Sequence, residues 1–212
     1  MNIRHQYKKI FFLTPLILSY LLLISCSALQ QTNLTGNSKK IQQWKNHEAQ
    51  LLKITKYQIR GTFTYLVAGK QVVYSNFFWE QIKPDNYYLI FINQLCSNTI
   101  ELNFSSGRMQ ITNNQKKYYI KNNIDKNIQK LTGIKIPLKK LRLWMLGLSG
   151  DATNCILDDQ YRLQHCIYNQ DGITWRVNYL RYGTHAHPSL PVQLEIKEGE
   201  QIFKLKINNW IL

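Results

Sequence analysis

From Tyr57 onward the chain alternates. Tyr57, Ile59, Phe63 and Tyr65 are separated by Gln58, Arg60, Thr62 and Thr64, and Ile173, Trp175, Val177 and Tyr179 alternate with Thr174, Arg176 and Asn178. A period of two places successive side chains on opposite faces of a strand, which marks one face as buried and the other as wet. Residues 72–81, 87–92, 99–104, 108–112, 161–168, 192–196 and 203–207 also read as strands. They are divided by turn-forming groups such as Gly69-Lys70, Lys83-Pro84-Asp85-Asn86, Ser105-Ser106-Gly107, Asn169-Gln170-Asp171-Gly172 and Glu198-Gly199. Consecutive short strands joined by tight turns pair antiparallel. About ten of them in one domain predict a mainly β, α+β fold built on one strongly curved sheet or barrel.

Two regions break the alternation. Over 41–54 the residues Ile41, Trp44, Leu51 and Leu52 recur at helical spacing. Between Asn122 and Leu148, a helix is predicted over 125–131, stopping near Gly133. Pro137 is placed to start a second, carrying Leu138, Leu141, Met145 and Leu148 on one face with Trp144 beside them. These helices interrupt the strand series and are expected to pack against or over the sheet.

The first 25 residues have the layout of an export signal: a basic leader with Arg4, Lys8 and Lys9, then an apolar run from Ile10 to Ile24. That run is short for a bilayer span and carries Pro15. It ends in Leu23-Ile24-Ser25-Cys26, which resembles the lipobox of bacterial lipoproteins, in which cleavage precedes an acylated cysteine. Residues 1–25 therefore read as a lipoprotein signal peptide. Residues 26–40, rich in Gln, Asn, Ser and Thr, read as a flexible tether from lipidated Cys26, and 41–212 as one folded domain. Lys and Arg number 27 against 12 Asp and Glu. An exported chain meets no nucleic acid, so the positive charge reflects either a Lys-Asn-Ile compositional bias or attraction to anionic lipid or an acidic partner. Of the remaining cysteines, Cys155 and Cys166 could bridge across the turn at Asp158-Asp159-Gln160. The preferred expectation for Cys96, Cys155 and Cys166 is nevertheless three small apolar fillers, because no framework spacing is visible.

No catalytic constellation emerges. Gly147-Leu148-Ser149-Gly150-Asp151 does not match a nucleophile elbow, and Asp158-Asp159 suits a turn better than an acid pair. His185 and His187, or His165 and Cys166, lack a third metal ligand at sensible spacing. Phosphate loops and dinucleotide fingerprints are missing from the sequence. What stands out is aromatic mass, including Phe77-Phe78-Trp79, Trp144, Trp175 and Trp210. It fills a core or, in a curved sheet, lines a cavity.

Several stretches resemble, in order, those of the outer-membrane lipoprotein receptor LolB family. They are Tyr57-Gln58-Ile59-Arg60-Gly61, Phe77-Phe78-Trp79, Lys130-Leu131-Thr132-Gly133, Ile136-Pro137-Leu138, Trp144-Met145-Leu146-Gly147-Leu148, Gly150-Asp151-Ala152-Thr153, the run from Leu157 to Leu163, and the closing Leu205 to Ile211. The resemblance implies an incomplete antiparallel barrel with a helical lid over an apolar cavity. It implies a non-enzymatic outer-membrane acceptor, anchored on the periplasmic face. Such an acceptor takes lipoproteins from the soluble carrier LolA and inserts them into the inner leaflet without nucleotide hydrolysis.

The implied partners are LolA with its cargo and outer-membrane lipids, with the protein acting as a monomer. No cofactor is implied beyond the covalent acyl groups on Cys26. The family's membrane-insertion leucine corresponds to Leu95, in a loop where this chain has Gln94 and Cys96 in place of the common Pro and Gly. Inward positions nominate Phe63, Tyr65, Phe77, Trp79, Leu141, Trp144, Met145 and Trp175 as cavity or lid residues. The rival expectation is a structural envelope lipoprotein whose barrel is filled by its own side chains.

Overall fold

The computed structural model describes residues 33–35, 37–93, 98–135, 137–170, 172–184 and 186–212. Among them are twelve strands in one sheet, ordered β1-β8-β9-β10-β11-β12-β2-β3-β4-β5-β6-β7. The strands are β1 (Asn33–Thr35), β2 (Tyr57–Val67), β3 (Lys70–Lys83), β4 (Asn86–Asn93), β5 (Asn98–Ser105), β6 (Arg108–Asn113), β7 (Lys116–Ile120), β8 (Asn154–Leu157), β9 (Leu163–Gln170), β10 (Ile173–Tyr182), β11 (Pro191–Glu198) and β12 (Gln201–Ile211). Three helices lie among the same described residues: α1 (Ser38–Leu51), α2 (Ile124–Thr132) and α3 (Leu138–Leu146). Every pairing is antiparallel except β1 with β8.

Two meanders, β2 to β7 and β8 to β12, meet where β12 pairs with β2, and Phe203 faces Tyr65 across that seam. The sheet stays open, with β1 and β7 as its edges. The alternation seen in the sequence is the burial pattern of the strands: on β3, Ser75, Phe77, Trp79 and Gln81 are buried while the residues between them are partly exposed. Inward side chains of both meanders and of all three helices form one core cluster, so the sheet curves around a shared interior.

Local chemistry sets the helix ends. α1 begins where Asn37 Oδ1 accepts the Lys40 N–H at 2.9 Å, an N-cap. α2 stops at Gly133, whose φ of 74° places it in the left-handed region and lets its N–H reach the Gln129 carbonyl at 2.8 Å. α3 starts after Pro137 and ends at Gly147, earlier than the expected run through Leu148.

The sequence expectations need four corrections. Asn33–Thr35 is a strand and α1 begins at Ser38, three residues ahead of the expected helix start at Ile41. β7 and β8 were not expected. β7 is an edge strand with only Ile120 buried, and β8 has four residues, too few to display a period. β9 starts at Leu163 rather than Tyr161, because Asp158 Oδ1 accepts the N–H groups of Gln160 and Arg162 and holds 158–162 as a turn. Finally, Cys155 and Cys166 are not free fillers but a disulfide. They are direct cross-strand partners on β8 and β9 with Cα atoms 4.2 Å apart, and both are buried. Cys26, Leu95, Cys96 and His185 lie outside the described residues.

Candidate functional site

The interior divides into a filled part and a hollow part. At one end of β2 to β6, Trp79 stacks on Tyr87 (4.7 Å between ring centroids) and Tyr87 on Phe104 (5.0 Å). Beneath these rings is a polar node. Gln81 Oε1 accepts from Trp79 Nε1 at 3.1 Å and from the Tyr57 hydroxyl at 3.5 Å, while Gln81 Nε2 donates to the Lys83 carbonyl. Burial drives the hydroxyl pKa values of Tyr57 and Tyr87 far up, so both stay protonated as donors. Toward the other meander, Trp144 of α3 packs against Tyr168 (5.0 Å) and Trp175 (5.9 Å). These regions are core.

Toward the other end of β2 to β5 lies an apolar cavity of about 190 Å³. Its floor comes from inward residues of β2 to β5, notably Phe63, Val73, Phe91 and Ile100. Its roof is Ile128 and Thr132 of α2, with Ile134 and Leu138 beyond. Ser75 lines it too, and its hydroxyl donates to the Asn76 carbonyl at 2.9 Å, so the wall presents no unmet polar group there. The inward alternation of β3 that places Phe77 and Trp79 puts the small Ser75 at this position, and the roof above it includes the short Thr132 side chain of α2.

On an adjoining face α2 bounds a wider cleft of about 830 Å³, with Asp125 and Gln129 on the helix, Trp175 and Ile173 on β10, and lysines 121, 126, 135 and 139 around it. Burial raises the Asp125 carboxyl pKa against the opposing pull of the Leu138 N–H and of Lys139. α2 thus borders both an apolar pocket and a basic cleft.

The two lid helices are held very differently. α3 buries Leu138, Leu141, Trp144, Met145 and Leu146, whereas Ile128 is the one buried residue of α2. At ~2 kcal/mol per fully buried aliphatic side chain, α3 is fixed by on the order of 10 kcal/mol of apolar burial and α2 by a small fraction of that. The ion pair from Lys135 to Glu198, 3.3 Å long and partly exposed, ties the α2–α3 connection to β11 and adds little.

Of the eight residues nominated by the sequence, Phe63 lines the cavity and Trp175 the cleft. Leu141, Trp144 and Met145 are the buried face of α3. Tyr65, buried, stacks on Phe203 at 4.9 Å and donates to Gln201 Oε1 at 3.0 Å; Phe77 and Trp79 are buried in the sheet's inner face. The cavity residues that the sequence reading missed are Val73, Ser75, Phe91, Ile100, Leu102, Ile128, Thr132, Ile134 and Leu138. A small polar residue at an inward strand position, Ser75, is the signal that marks the hollow. Among the described residues no group of three or more His, Cys, Asp or Glu could hold a metal, and no helix is long and apolar enough to cross a membrane.

An open, mostly antiparallel sheet wrapped around an apolar hollow, roofed by one lightly held helix, defines a half-barrel with a helical lid. Solved structures share this build. A LolA superfamily protein from Nitrosomonas europaea superposes with a TM-score of 0.57 at 8% identity, over 82% of this chain and 93% of that one. A putative outer membrane lipoprotein-sorting protein domain from Vibrio parahaemolyticus superposes with a TM-score of 0.54 at 9% identity, over 82% and 90%. At such identities the likeness concerns the fold, an incomplete barrel with a helical lid.

Sequence comparison is more specific. The family profile described as Outer membrane lipoprotein LolB matches residues 55–210. The outer-membrane lipoprotein LolB of Yersinia enterocolitica is 45% identical over 203 residues, covering 96% of this chain and 97% of that protein. That of Serratia proteamaculans is 42% identical over 205 residues, covering 97% and 98%. The chain belongs to the LolB family of outer-membrane lipoproteins.

Proposed function

We propose that this chain accepts lipoproteins from the periplasmic carrier LolA and delivers them to the inner leaflet of the outer membrane, holding their acyl chains under α2. The observation that carries this reading is the apolar cavity roofed by the most weakly seated helix of the fold. Three acyl chains contain on the order of 40 methylenes, and at ~0.8 kcal/mol each their exposure to water would cost roughly 30 kcal/mol. Cargo must therefore pass from one apolar host to the next, and an acceptor that holds the chains more tightly than the donor drives the step without catalysis or nucleotide.

A dry apolar cavity of about 150 Å³ takes up a benzene. The 190 Å³ found here suits the first stretch of one chain, not three chains. Full loading thus requires α2 to lift and join the cavity to the neighbouring cleft. Cys26 serves as the acylated anchor, with the segment after it as tether, and Leu95 is assigned to membrane insertion. The test incubates mature lipidated protein with a LolA–lipoprotein complex and follows the cargo. Cargo should leave LolA and reach added vesicles; cargo that stays on LolA contradicts the proposal. Leu95→Glu should still accept cargo and fail to insert it, so normal insertion by that variant would remove the role given to Leu95.

A further inference from the structure

At one end of the sheet the strands are apolar on both faces. Along β3, Val73 and Ser75 point into the cavity, while Val72 and Tyr74 point outward with 59% and 45% of their surface exposed. On β4 Phe91 lines the cavity and Ile92, its outward neighbour, is 44% exposed. The ladder pairs Asn76 with Ile92, which brings Tyr74 and Ile92 to the same corner of the outer face. Farther along β3 the outward Phe78 is covered by the Arg60 guanidinium, which lies over the ring at 5.6 Å, while Ile82 near the other end is 41% exposed and stands without an outward apolar neighbour on β3.

The same end carries lysines. Antiparallel register brings the β2–β3 and β6–β7 turns to the same end of the sheet, closed by the pairs Val67–Lys70 and Asn113–Lys116 and staggered along it. Lys70, Lys116 and Lys117 are exposed, and the β2–β3 and β6–β7 turns beside them contain no acid. On the adjoining β11–β12 turn Glu198 is paired with Lys135, and Glu200 is exposed. Exposed aliphatic and aromatic side chains framed by lysines are the chemistry of a surface that rests at a lipid–water interface, rings and methyls in the acyl boundary and ammonium groups at phosphates.

We infer that the strip Val72, Tyr74 and Ile92, with Lys70, Lys116 and Lys117, is a docking face for an anionic phospholipid bilayer, which sets the cavity mouth against the membrane. The inference rests on the delivery role proposed above and adds the orientation that delivery needs. The outer strip and the cavity wall alternate along the same strand ends, so chains leaving the cavity past those ends would emerge where the outer face already touches lipid.

The test places a photoreactive residue on the outer face of the full-length lipidated protein, reconstituted in vesicles of phosphatidylethanolamine with phosphatidylglycerol. Tyr74→p-benzoylphenylalanine and Ile92→p-benzoylphenylalanine should form lipid adducts; Asn103→p-benzoylphenylalanine, outward and exposed on β5 but away from this end, should not. Replacing phosphatidylglycerol by phosphatidylcholine, or combining Lys70→Gln, Lys116→Gln and Lys117→Gln, should lower the Tyr74 adduct by roughly tenfold or more. No lipid adduct at Tyr74, equal yields at Tyr74 and Asn103, or an adduct to a protein instead of lipid would each overturn the inference. Acceptance of cargo from LolA is measured on the same samples. Acceptance retained without a lipid adduct rejects the docking face alone, whereas lost acceptance in the unsubstituted protein rejects the acceptor role.

Discussion

Replacing Ile128 with alanine isolates the free energy that seats α2. Ile128 is 2% exposed, roofs the cavity, and is the one buried residue of its helix. The substitution removes three carbons, at ~0.8 kcal/mol each about 2 kcal/mol of burial. Since the cavity already lies beneath the helix, little further packing is lost elsewhere. A change of that size raises the equilibrium constant for lifting α2 about 30-fold. Native-state hydrogen exchange reads this directly. Amides of 124–132 should lose about 30-fold in protection, while those of α3, held by Leu138, Leu141, Trp144, Met145 and Leu146, keep theirs. In cargo assays the variant should load faster and hold less tightly. Equal loss of protection in α2 and α3 would refute the independence of the lid, and unchanged protection in α2 would refute the burial argument.

Further expectations concern the frame around the cavity. The Cys155–Cys166 bridge closes a short loop at sequence separation 11, so its reduction should remove about 3 kcal/mol and lower Tm by roughly 6–12 °C; an unchanged Tm after verified reduction would contradict this. His47 on α1 titrates below its ordinary 6.5 because burial, and then the Arg162 guanidinium, disfavour its charged form. The unfolded chain therefore binds an extra proton between the folded pKa and 6.5, and stability should fall as pH drops through that window. The fall should be smaller in His47→Gln, and identical slopes in thermal melts at pH 7.5 and 5.5 would count against it. A Cβ at Gly61 would run into the Lys206 carbonyl and approach Phe77 Cε1 at 2.9 Å, across the β2–β12 seam. Gly61→Ala should then cost about 2 kcal/mol in denaturant midpoint measurements, and a neutral result would mean the seam can widen.

Much of the fold was legible because burial follows the pleat. Ile173, Trp175, Val177 and Tyr179 alternate strictly, and their strand is where the pattern puts it, as is the helix pair bracketed by Gly133 and Pro137. β7 was invisible because an edge strand with a free side needs no apolar face: Lys116 to Tyr119 are all exposed. The bridge was missed because cysteine spacing carries no register, and only pairing of β8 with β9 sets Cys155 opposite Cys166.

The cavity was legible in kind but not in place. Alternation names inward residues, Phe63 and Trp79 alike, whereas the position of α2 decides that Phe63 faces space and Trp79 faces Tyr87 and Gln81. Nothing in the spacing of β2 to β5 fixes where a helix that begins only after β7 will come to rest. The small Ser75 at an inward position of β3 is the one local clue, and it becomes informative only once α2 is seen to roof the hollow beside it.

The most direct test of the central claim follows the acyl chains themselves. Cargo lipoprotein bearing a photoreactive group near the end of an acyl chain would be transferred from LolA to the full-length lipidated protein and irradiated before vesicles are added. The account predicts adducts on peptides containing Phe63, Val73, Phe91, Ile100 and Ile128, and none on those confined to the packed core around Tyr87 and Phe104. Efficient transfer with adducts only on the outer face of the sheet, or on none of the cavity residues, would contradict it.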